Sequence, residues 1–285
     1  MHGNGPPQSD RRSLSTTVPF GFDFDTARFL DAYRAVGCTT AQFYRNPKNP
    51  PTTAEALHTI EAAGMRFDSI HGLFGAEIDP SSPDRSHRDS CVKLYEAEGR
   101  LALDLGVSSV VVHPSGNRAD YQPYEPTEAQ ALESSRWEHF DDFALRLADV
   151  GDALGVTYLI ENVTYVFPLG HDAAALAARV LSLKRDCLRM CFDTGHAHVT
   201  DDAARALLAC APAIDYLHIH DNDGHEDNHR MPGDGSIDWR RFADAVRTTN
   251  LLVPCMLEVF YPVEQVEALA REGLASRLAA ACATG

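Results

Sequence analysis

The sequence lacks any apolar run of the roughly 18 residues that a membrane-spanning helix needs. It also lacks an apolar segment near the N-terminus, where residues 1–17 are polar and rich in Gly, Pro and Ser. We therefore expect residues 1–17 to be a disordered lead-in and not a signal peptide. Because no low-complexity tract or domain boundary follows, we expect residues 18–285 to form one domain.

Neither paired cysteines nor an excess of basic residues is present. The seven Cys show no C-x-x-C spacing, and most lie in apolar runs, which is typical of buried, reduced thiols in a cytoplasmic protein. Lys and Arg number 25 against 41 Asp and Glu, so the formal net charge is −16. Such a surface repels phosphate backbones, and the sequence therefore disfavours nucleic acid as a partner.

What the sequence does contain is a regular alternation of short β-rich runs and longer helical patterns. Runs such as Ser-Val-Val-Val are too uniformly apolar for half-exposed strands and suit a parallel sheet covered by helices. Eight strand–helix units predict an α/β fold, a single (β/α)8 TIM barrel with right-handed crossovers. An open doubly wound sheet is the alternative, but no Gly-rich phosphate turn follows the first strand. The predicted strands are Val18–Phe24, Thr39–Tyr44, Phe67–His71, Ser109–His113, Thr157–Glu161, Leu188–Asp193, Ile214–His220 and Val253–Val259.

Chemistry-bearing side chains recur where the predicted strands end. The active sites of such barrels lie at the C-terminal ends of the strands. Any single His, Asp or Glu there is more often a hydrogen-bonded polar residue than a ligand. Here six consecutive strands each end in such a residue, which indicates a shared divalent-metal centre. Bound metal would offset the cost of burying the carboxylates. The residues are His71, His113, Glu161, Asp193 with His196, His218 with His220, and Glu258.

Two of these strand ends carry pairs of candidates. Asp193 and His196 are three residues apart just past a strand, a spacing that can direct a carboxylate and an imidazole into one cavity. His218 and His220 are two apart and face the same side of a strand. We assign His218 as a metal ligand and His220 as a residue behind the ligands or a substrate contact.

Three loop segments supply further candidates. The acidic loop after the seventh strand contains Asp227 and His229, either a ligand pair or part of a solvated loop. The long loop 115–126, with Arg118, either covers the substrate or is a mobile surface loop. Tyr165, in the segment after the fifth strand, is a candidate for the pocket wall.

Together these motifs resemble the xylose isomerase-like TIM barrel superfamily over about residues 18–280. That superfamily includes sugar and sugar-phosphate isomerases and epimerases, and apurinic endonucleases of the endonuclease IV type. The motifs that carry the resemblance are Val-Val-His113-Pro, Ile-Glu161-Asn, Phe-Asp193-Thr-Gly-His196, His218-Ile-His-Asp221, Pro-Gly-Asp-Gly-Ser-Ile-Asp-Trp and Leu-Glu258.

The resemblance implies two ligand sets. In the single-metal epimerases Glu, Asp, His and Glu hold the ion, and the two glutamates are also the acid/base pair. These roles match Glu161, Asp193, His218 and Glu258. A His like His196 binds substrate oxygen there, and an Arg contacts the sugar at the position that aligns with His229, next to Arg230.

In the endonuclease IV type nine residues hold three ions, and all nine positions are filled here. They are His71, His113 and Glu161 for one ion, Glu161, Asp193, His218 and Glu258 for a second, and His196, Asp227 and His229 for a third.

The resemblance favours a metal-dependent isomerase or epimerase of a sugar, sugar phosphate or related polyol ketone. It implies one to three divalent ions (Zn²⁺, Mn²⁺, Mg²⁺ or Co²⁺) and proton transfer at the carbon next to a carbonyl, with Glu161 and Glu258 as the catalytic pair. The alternative, a multinuclear-metal phosphoesterase, is disfavoured by the net charge and by the absence of DNA-penetrating loops. A non-catalytic sugar-binding protein is disfavoured because both general-base candidates are present. Barrels of this kind often form homodimers, although the sequence has no distinct interface signal.

Overall fold

Eight parallel strands close into a barrel in the order in which they follow in the chain. The computed structural model describes residues 13–281, with the side chains of 279–281 excepted. The first strand pairs with both the second and the eighth, which closes the sheet and confirms the predicted (β/α)8 barrel. The strands are β1 Leu14–Phe20, β2 Thr40–Arg45, β3 Arg66–His71, β4 Ser109–Val112, β5 Thr157–Glu161, β6 Leu188–Asp193, β7 Ile214–Ile219 and β8 Cys255–Leu257.

Helices connect the strands and cover the outside of the barrel. Within the described residues they are α1 Thr26–Ala35, α2 Thr53–Ala62, α3 Arg85–Asp104, α4 Pro126–Leu154, α5 Ala173–Ser182, α6 Thr194–Thr200, α7 Ala203–Cys210, α8 Trp239–Thr249, α9 Val263–Arg271 and α10 Leu274–Ala281. Asp25, Thr52 and Asp238 cap their helices by accepting backbone N–H groups. None of the helices in this part of the chain is long and apolar enough to cross a membrane.

The first strand lies four residues before its predicted position. The run Ser15-Thr16-Thr17 has the polarity of a loop, yet all three residues are buried, because β1 pairs with β8 through this segment. Leu14–Thr17 of the predicted lead-in therefore belong to the barrel. Residues 1–12 of that predicted lead-in lie outside the described residues.

Two helical features differ from the sequence pattern. Helix α6 follows β6 without a loop, because the Asp193 carboxylate accepts the His196 N–H at 2.6 Å and caps the helix. The segment expected to form one terminal helix contains two, α9 and α10, because Gly273 between them takes a φ of +88°, which no helix permits.

The strands place the predicted ligands in one layer inside the barrel. Side chains along a strand alternate between its two faces, so residues two apart share the barrel interior. A small buried cluster inside the barrel consists of Val111, Leu159, Cys191, Tyr216 and Met256. Two residues further toward the C-terminal mouth lie His113, Glu161, Asp193, His218 and Glu258. These five predicted ligands therefore lie directly above the small buried cluster that fills the barrel interior. The six described cysteines are free.

The loop between β7 and α8 is organised around the fully buried carboxylate of Asp221. It accepts hydrogen bonds from Asn222 N (2.9 Å), Gly233 N (2.9 Å), Ile237 N (3.1 Å) and Trp239 Nε1 (2.7 Å). The Asp221 backbone also pairs with that of Arg230 in both directions, at 2.8 Å. The loop that carries Asp227 and His229 is thus closed at its base.

We expect Asp221→Ala to destabilise the protein strongly, because four donors lose one charged acceptor. A hydrogen bond to a charged group contributes about 1.5–3 kcal/mol, so the free energy of unfolding should fall by about 3 kcal/mol or more. Urea unfolding followed by circular dichroism measures this change. Asp223→Ala is the control, since Asp223 is an exposed residue of the same loop that accepts from His225 N and Glu226 N. Equal effects of the two substitutions would contradict the role of Asp221.

Candidate metal centre

Three groups of His, Asp and Glu side chains meet at the C-terminal mouth of the barrel, and each has the composition of a metal site. Within a group, the ligand-type atoms lie within 4.8 Å of one another. The first cluster is His71, His113 and Glu161; the second is Glu161, Asp193, His218 and Glu258; the third is His196, His220, Asp227 and His229. All nine predicted ligands are brought together, and their assignment as ligands stays a prediction.

Glu161 joins the first cluster to the second. Its Oε2 lies 3.3 Å from His71 Nε2 and 3.2 Å from His113 Nε2. Its Oε1 lies 3.0 Å from His218 Nδ1, which is also 2.9 Å from Glu258 Oε2. One buried carboxylate therefore faces three imidazoles.

Asp193 joins the second cluster to the third. Its Oδ1 lies 3.0 Å from His220 Nε2, and its Oδ2 lies 3.8 Å from His218 Nδ1. In the third cluster, Asp227 Oδ2 is 3.1 Å from His196 Nε2 and 3.2 Å from His229 Nε2. His220 belongs to this cluster as much as the predicted ligands do. Its two-residue spacing from His218 indicated the shared face, but the sequence did not indicate which cluster it joins.

Backbone carbonyls orient three of the imidazoles. In each case the Nδ1–H donates to a carbonyl oxygen, so Nε2 is the nitrogen that faces the carboxylates. The pairs are His71 with Gly72 O (2.8 Å), His196 with Asn162 O (2.8 Å) and His229 with Glu258 O (2.9 Å).

Close packing fixes the ends of β5, β6 and β7 relative to one another. The Asn162 side chain bridges the backbone of Asp193, accepting from its N–H at 2.9 Å and donating to its carbonyl at 3.0 Å. The Thr194 hydroxyl donates to the carbonyl of His220 at 2.8 Å. A Cβ atom on Gly195 would lie 2.0 Å from the His220 ring, so glycine is required for α6 to approach β7 this closely.

The carboxylate oxygens of the clusters are not all paired by hydrogen bonds, as expected if they bind divalent cations. Glu161 Oε2 and Glu258 Oε2 are buried without a hydrogen bond, although imidazoles lie beside them. An unpaired buried carboxylate oxygen is costly, and a cation between these groups removes that cost. The carboxylate-rich second cluster suits Mn²⁺, Mg²⁺ or Co²⁺, whereas the histidine-rich third cluster suits Zn²⁺.

Neighbouring charges govern the ionisation of the third cluster. Burial alone would lower the pKa of His196, but Asp193 and Asp227 hold it well above its usual value. Burial likewise opposes the charged form of His229, and Asp227 nevertheless raises its pKa to about 9. By contrast, burial holds the pKa of His113 below its usual value.

A cavity of about 870 Å³ opens above the clusters. Its wall includes Glu161 and Glu258 and the predicted contact Tyr165. Aromatic rings cover two of the imidazoles: Phe74 lies 4.4 Å from His113 and Phe260 lies 4.3 Å from His229, between ring centroids. Residues of the loop 115–126 also line the cavity, which favours the first of the two alternatives left open for this loop. They are Asn117, Tyr121, Gln122, Pro123, Tyr124, Glu125 and Pro126.

Two predicted substrate contacts do not line this cavity. The Arg118 guanidinium pairs with Asp120 at 2.9 Å and lies 4.9 Å from the centre of the Tyr124 ring. Arg230 pairs with Asp223 at 3.1 Å. A carboxylate of the same loop therefore engages each guanidinium, and the role of both residues as substrate contacts stays a prediction.

A second cavity of about 800 Å³ lies at the opposite, N-terminal face of the barrel. Asp68 and Tyr216 are among the residues that line it, and none of the predicted ligands does. Because catalysis in such barrels takes place at the C-terminal face, we assign the chemistry to the cavity above the clusters.

This chain is similar in sequence and in fold to known proteins. The sequence profile of the family described as xylose isomerase-like TIM barrel matches residues 30–280. The uncharacterized protein y4fM of Sinorhizobium fredii is 27% identical over 262 residues, which cover 83% of this chain and 82% of that protein. Among solved structures, an L-ribulose 3-epimerase is 20% identical, with a TM-score of 0.75 and coverage of 95% of this chain and 94% of the other. A D-allulose 3-epimerase from Methylomonas sp. is 19% identical, with a TM-score of 0.73 and coverage of 94% and 96%. At these identities the structural likeness establishes the fold.

We expect metal binding to release protons from the third cluster. At pH 7 the metal-free protein carries protons on His196 and His229, because both pKa values are raised, that of His229 to about 9. An imidazolium must lose its proton before it binds a metal. Titration of chelator-treated protein with Zn²⁺ should therefore release more than one proton per chain at pH 7, and Zn²⁺ affinity should rise with pH at least to the His229 pKa of about 9. Calorimetry in buffers of different ionisation enthalpy measures the release. His229→Gln should reduce it, and a heat that is the same in every buffer would refute this protonation scheme.

Proposed function

The chain belongs to the xylose isomerase-like TIM barrel family, and from this premise we propose that it is a metal-dependent epimerase or isomerase of an uncharged ketose or related polyol ketone. One observation carries the proposal. Glu161 and Glu258 both contact His218 Nδ1, at 3.0 and 2.9 Å, and both line the cavity above the clusters. Two carboxylates thus face one space beside a candidate metal site.

The two glutamates have the ionisation state that proton transfer requires. Burial would raise the pKa of each, but His218 outweighs it and holds both pKa values well below their usual range. At neutral pH both side chains are therefore bases. One glutamate removes the proton from the carbon next to the carbonyl, and the same residue can then return that proton. Return of a proton by the other glutamate requires that this glutamate first takes up a proton from water. A divalent ion, when bound in the second cluster, polarises the carbonyl and makes that proton more acidic.

The walls of the cavity suit a sugar. Phe74, Phe260 and Tyr165 offer apolar surfaces for the C–H faces of the ring. His196 and His229 also line the cavity and provide nitrogen atoms for contacts with hydroxyl groups where they do not hold an ion. Binding pockets commonly combine such apolar walls with a few polar groups that fix the orientation of the ligand.

Electrostatics favour an uncharged substrate over a sugar phosphate. None of the described residues that line the cavity is Arg or Lys, whereas the exposed Glu125 and Glu226 stand at its rim. A phosphate group that extends away from the metal site would face these carboxylates, with no Arg or Lys in the described wall to offset its charge. The two nearby arginines, Arg118 and Arg230, are engaged by Asp residues of their own loops.

A multinuclear-metal phosphoesterase is the second candidate. The observation in its favour is the complete third cluster beside the first two, since clustered ions can stabilise both the attacking and the leaving oxygen of a phosphoester. Bound ions would themselves receive the phosphate in that case. The acidic rim opposes a long polyanion such as DNA.

We expect Glu161→Gln and Glu258→Gln each to lower ketose turnover by about 10²- to 10⁴-fold, the usual contribution of a positioned acid or base. Turnover is followed by chromatography of the epimers and by incorporation of deuterium from D₂O at the carbon next to the carbonyl. Metal content is measured for each variant, so that loss of the ion and loss of the base are distinguished. Glu226→Gln is the control, because Glu226 lines the same cavity but is exposed. Wild-type turnover in both glutamate variants would rule out the acid/base assignment.

We expect free ketopentoses and ketohexoses to react with a kcat/KM about tenfold or more above that of their terminal phosphate esters, equivalent to about 1.4 kcal/mol of lost transition-state binding. The physical reason is that no Arg or Lys is among the described residues of the cavity wall. Steady-state kinetics on matched pairs of substrates test this preference. Glu226→Arg, which adds a cation at the rim, should narrow the difference. A faster reaction of the phosphate esters, or phosphoester hydrolysis without epimerisation, would overturn the assignment of an uncharged ketose.

A further inference from the structure

A column of buried polar side chains runs along the barrel axis beneath His218. In barrels of this type the interior positions are usually filled by bulky aliphatic residues. Here one half of the interior follows that rule, with Val111, Leu159 and Met256. The other half is polar, and its members Gln42 on β2 and Ser69 on β3 are fully buried. Buried polar side chains in a core require a reason, because each must find a hydrogen-bond partner there.

The column is continuous from the N-terminal cavity to the second cluster. At its base, the Tyr216 hydroxyl donates to Asp68 Oδ1 at 2.8 Å. Ser69 Oγ lies 2.9 Å from the same carboxylate oxygen and 3.0 Å from the Tyr216 hydroxyl. The Gln42 side-chain amide lies 3.1 Å from Ser69 Oγ and 3.2 Å from His218 Nε2. The far nitrogen of His218 faces the carboxylates of the second cluster.

His218 is oriented differently from three other imidazoles of the mouth. His71, His196 and His229 each hold Nδ1 against a backbone carbonyl and present Nε2 to the carboxylates. His218 presents Nδ1 to Glu161, so its Nε2 is the nitrogen that needs an orienting partner. The partner is a side chain, the amide of Gln42.

The chemistry of a ligand histidine determines which atom of that amide faces it. An imidazole that offers Nδ1 to a cation carries its proton on Nε2, and that N–H needs an acceptor. In the structure the amide nitrogen faces His218 Nε2 at 3.2 Å. Rotation of the amide by half a turn brings Oε1 to the imidazole. The Ser69 hydroxyl then turns its one proton from Asp68 Oδ1 to Oε1, while the Tyr216 hydroxyl keeps its hydrogen bond to Asp68.

We propose that Gln42, held by Ser69, is a positioning residue that fixes the tautomer and ring orientation of His218 and thereby sets the affinity of the second cluster for a divalent ion. The inference rests on the metal dependence of the proposed function, but not on its substrate. It gives a role to the buried polar side chains of Gln42 and Ser69 beneath a histidine whose Nε2 has no carbonyl partner.

Manganese titration of the metal-free protein tests the role of Gln42. Gln42→Leu removes the acceptor, and loss of such an outer partner typically weakens metal binding about 10- to 100-fold, so we expect a Mn²⁺ affinity lower by that factor. Gln42→Glu keeps an acceptor for the Nε2–H and should bind Mn²⁺ nearly as tightly as the wild type. Electron paramagnetic resonance and calorimetry report free and bound Mn²⁺ without reference to turnover.

Thr40→Val is the matched control, because Thr40 lies on the same strand, two residues before Gln42, and its hydroxyl contacts Ser13 and not the column. Mn²⁺ affinity should be unchanged in this variant. Ser69→Ala, which frees the amide of Gln42, should weaken binding, and it replaces Gln42→Leu as the test if that variant does not fold by circular dichroism.

Three outcomes would overturn the proposal: unchanged affinity in Gln42→Leu, an equal loss in Gln42→Glu, or no Mn²⁺ binding by the wild type. A wild-type protein that binds Mn²⁺ but converts no ketose would overturn the proposed function alone. The Gln42 series would still decide the role of the column in that case.

Discussion

The buried carboxylate of Glu161 is the constraint on which the mouth of this barrel depends. The residue is 1% exposed, and its two oxygens face His218 on one side and His71 and His113 on the other. A carboxylate buried this deeply is stable only among partners that offset its charge. The imidazoles of the first and second clusters are those partners. Placing Glu161 at the end of β5 thus dictates what β3, β4 and β7 must carry at their own ends.

Shared residues make the three clusters one unit. Asp193 contacts His218 and His220, and its carboxylate also caps α6, the helix that carries His196. Glu258 offers its side chain to His218, while its backbone carbonyl orients His229. Because these residues serve two clusters each, substitutions at different clusters should not have additive effects. A local change in one cluster is transmitted by direct contact to the next.

The strand pattern predicts most of this arrangement, and physical reasons account for what it misses. The period of two places residues such as His113 and His218 inside the barrel at the C-terminal mouth, which sequence alone reveals. The start of β1 is missed because Ser15 and Thr17 are polar yet buried, and polarity normally indicates a loop. The Arg118 guanidinium pairs with the neighbouring Asp120. The pattern of apolar and polar residues does not predict which carboxylate a surface guanidinium pairs with. The buried role of Gln42 likewise appears only when its strand is closed into a barrel beside β3 and β7.

The distribution of charge around the cavity connects the metal centre to the choice of substrate. Four carboxylates, those of Glu161, Asp193, Asp227 and Glu258, belong to the clusters, and the described residues of the cavity wall add Glu125 and Glu226 but no Lys or Arg. Bound divalent ions would therefore be the main positive charge that a substrate meets. The charged group of an anionic substrate would bind those ions. It would then occupy the coordination positions that the carbonyl and its neighbouring hydroxyl need. Under the proposed function, an uncharged ketose would leave bound ions free to polarise its carbonyl and would contact the aromatic walls, so the acidic mouth is compatible with the proposed polyol ketone.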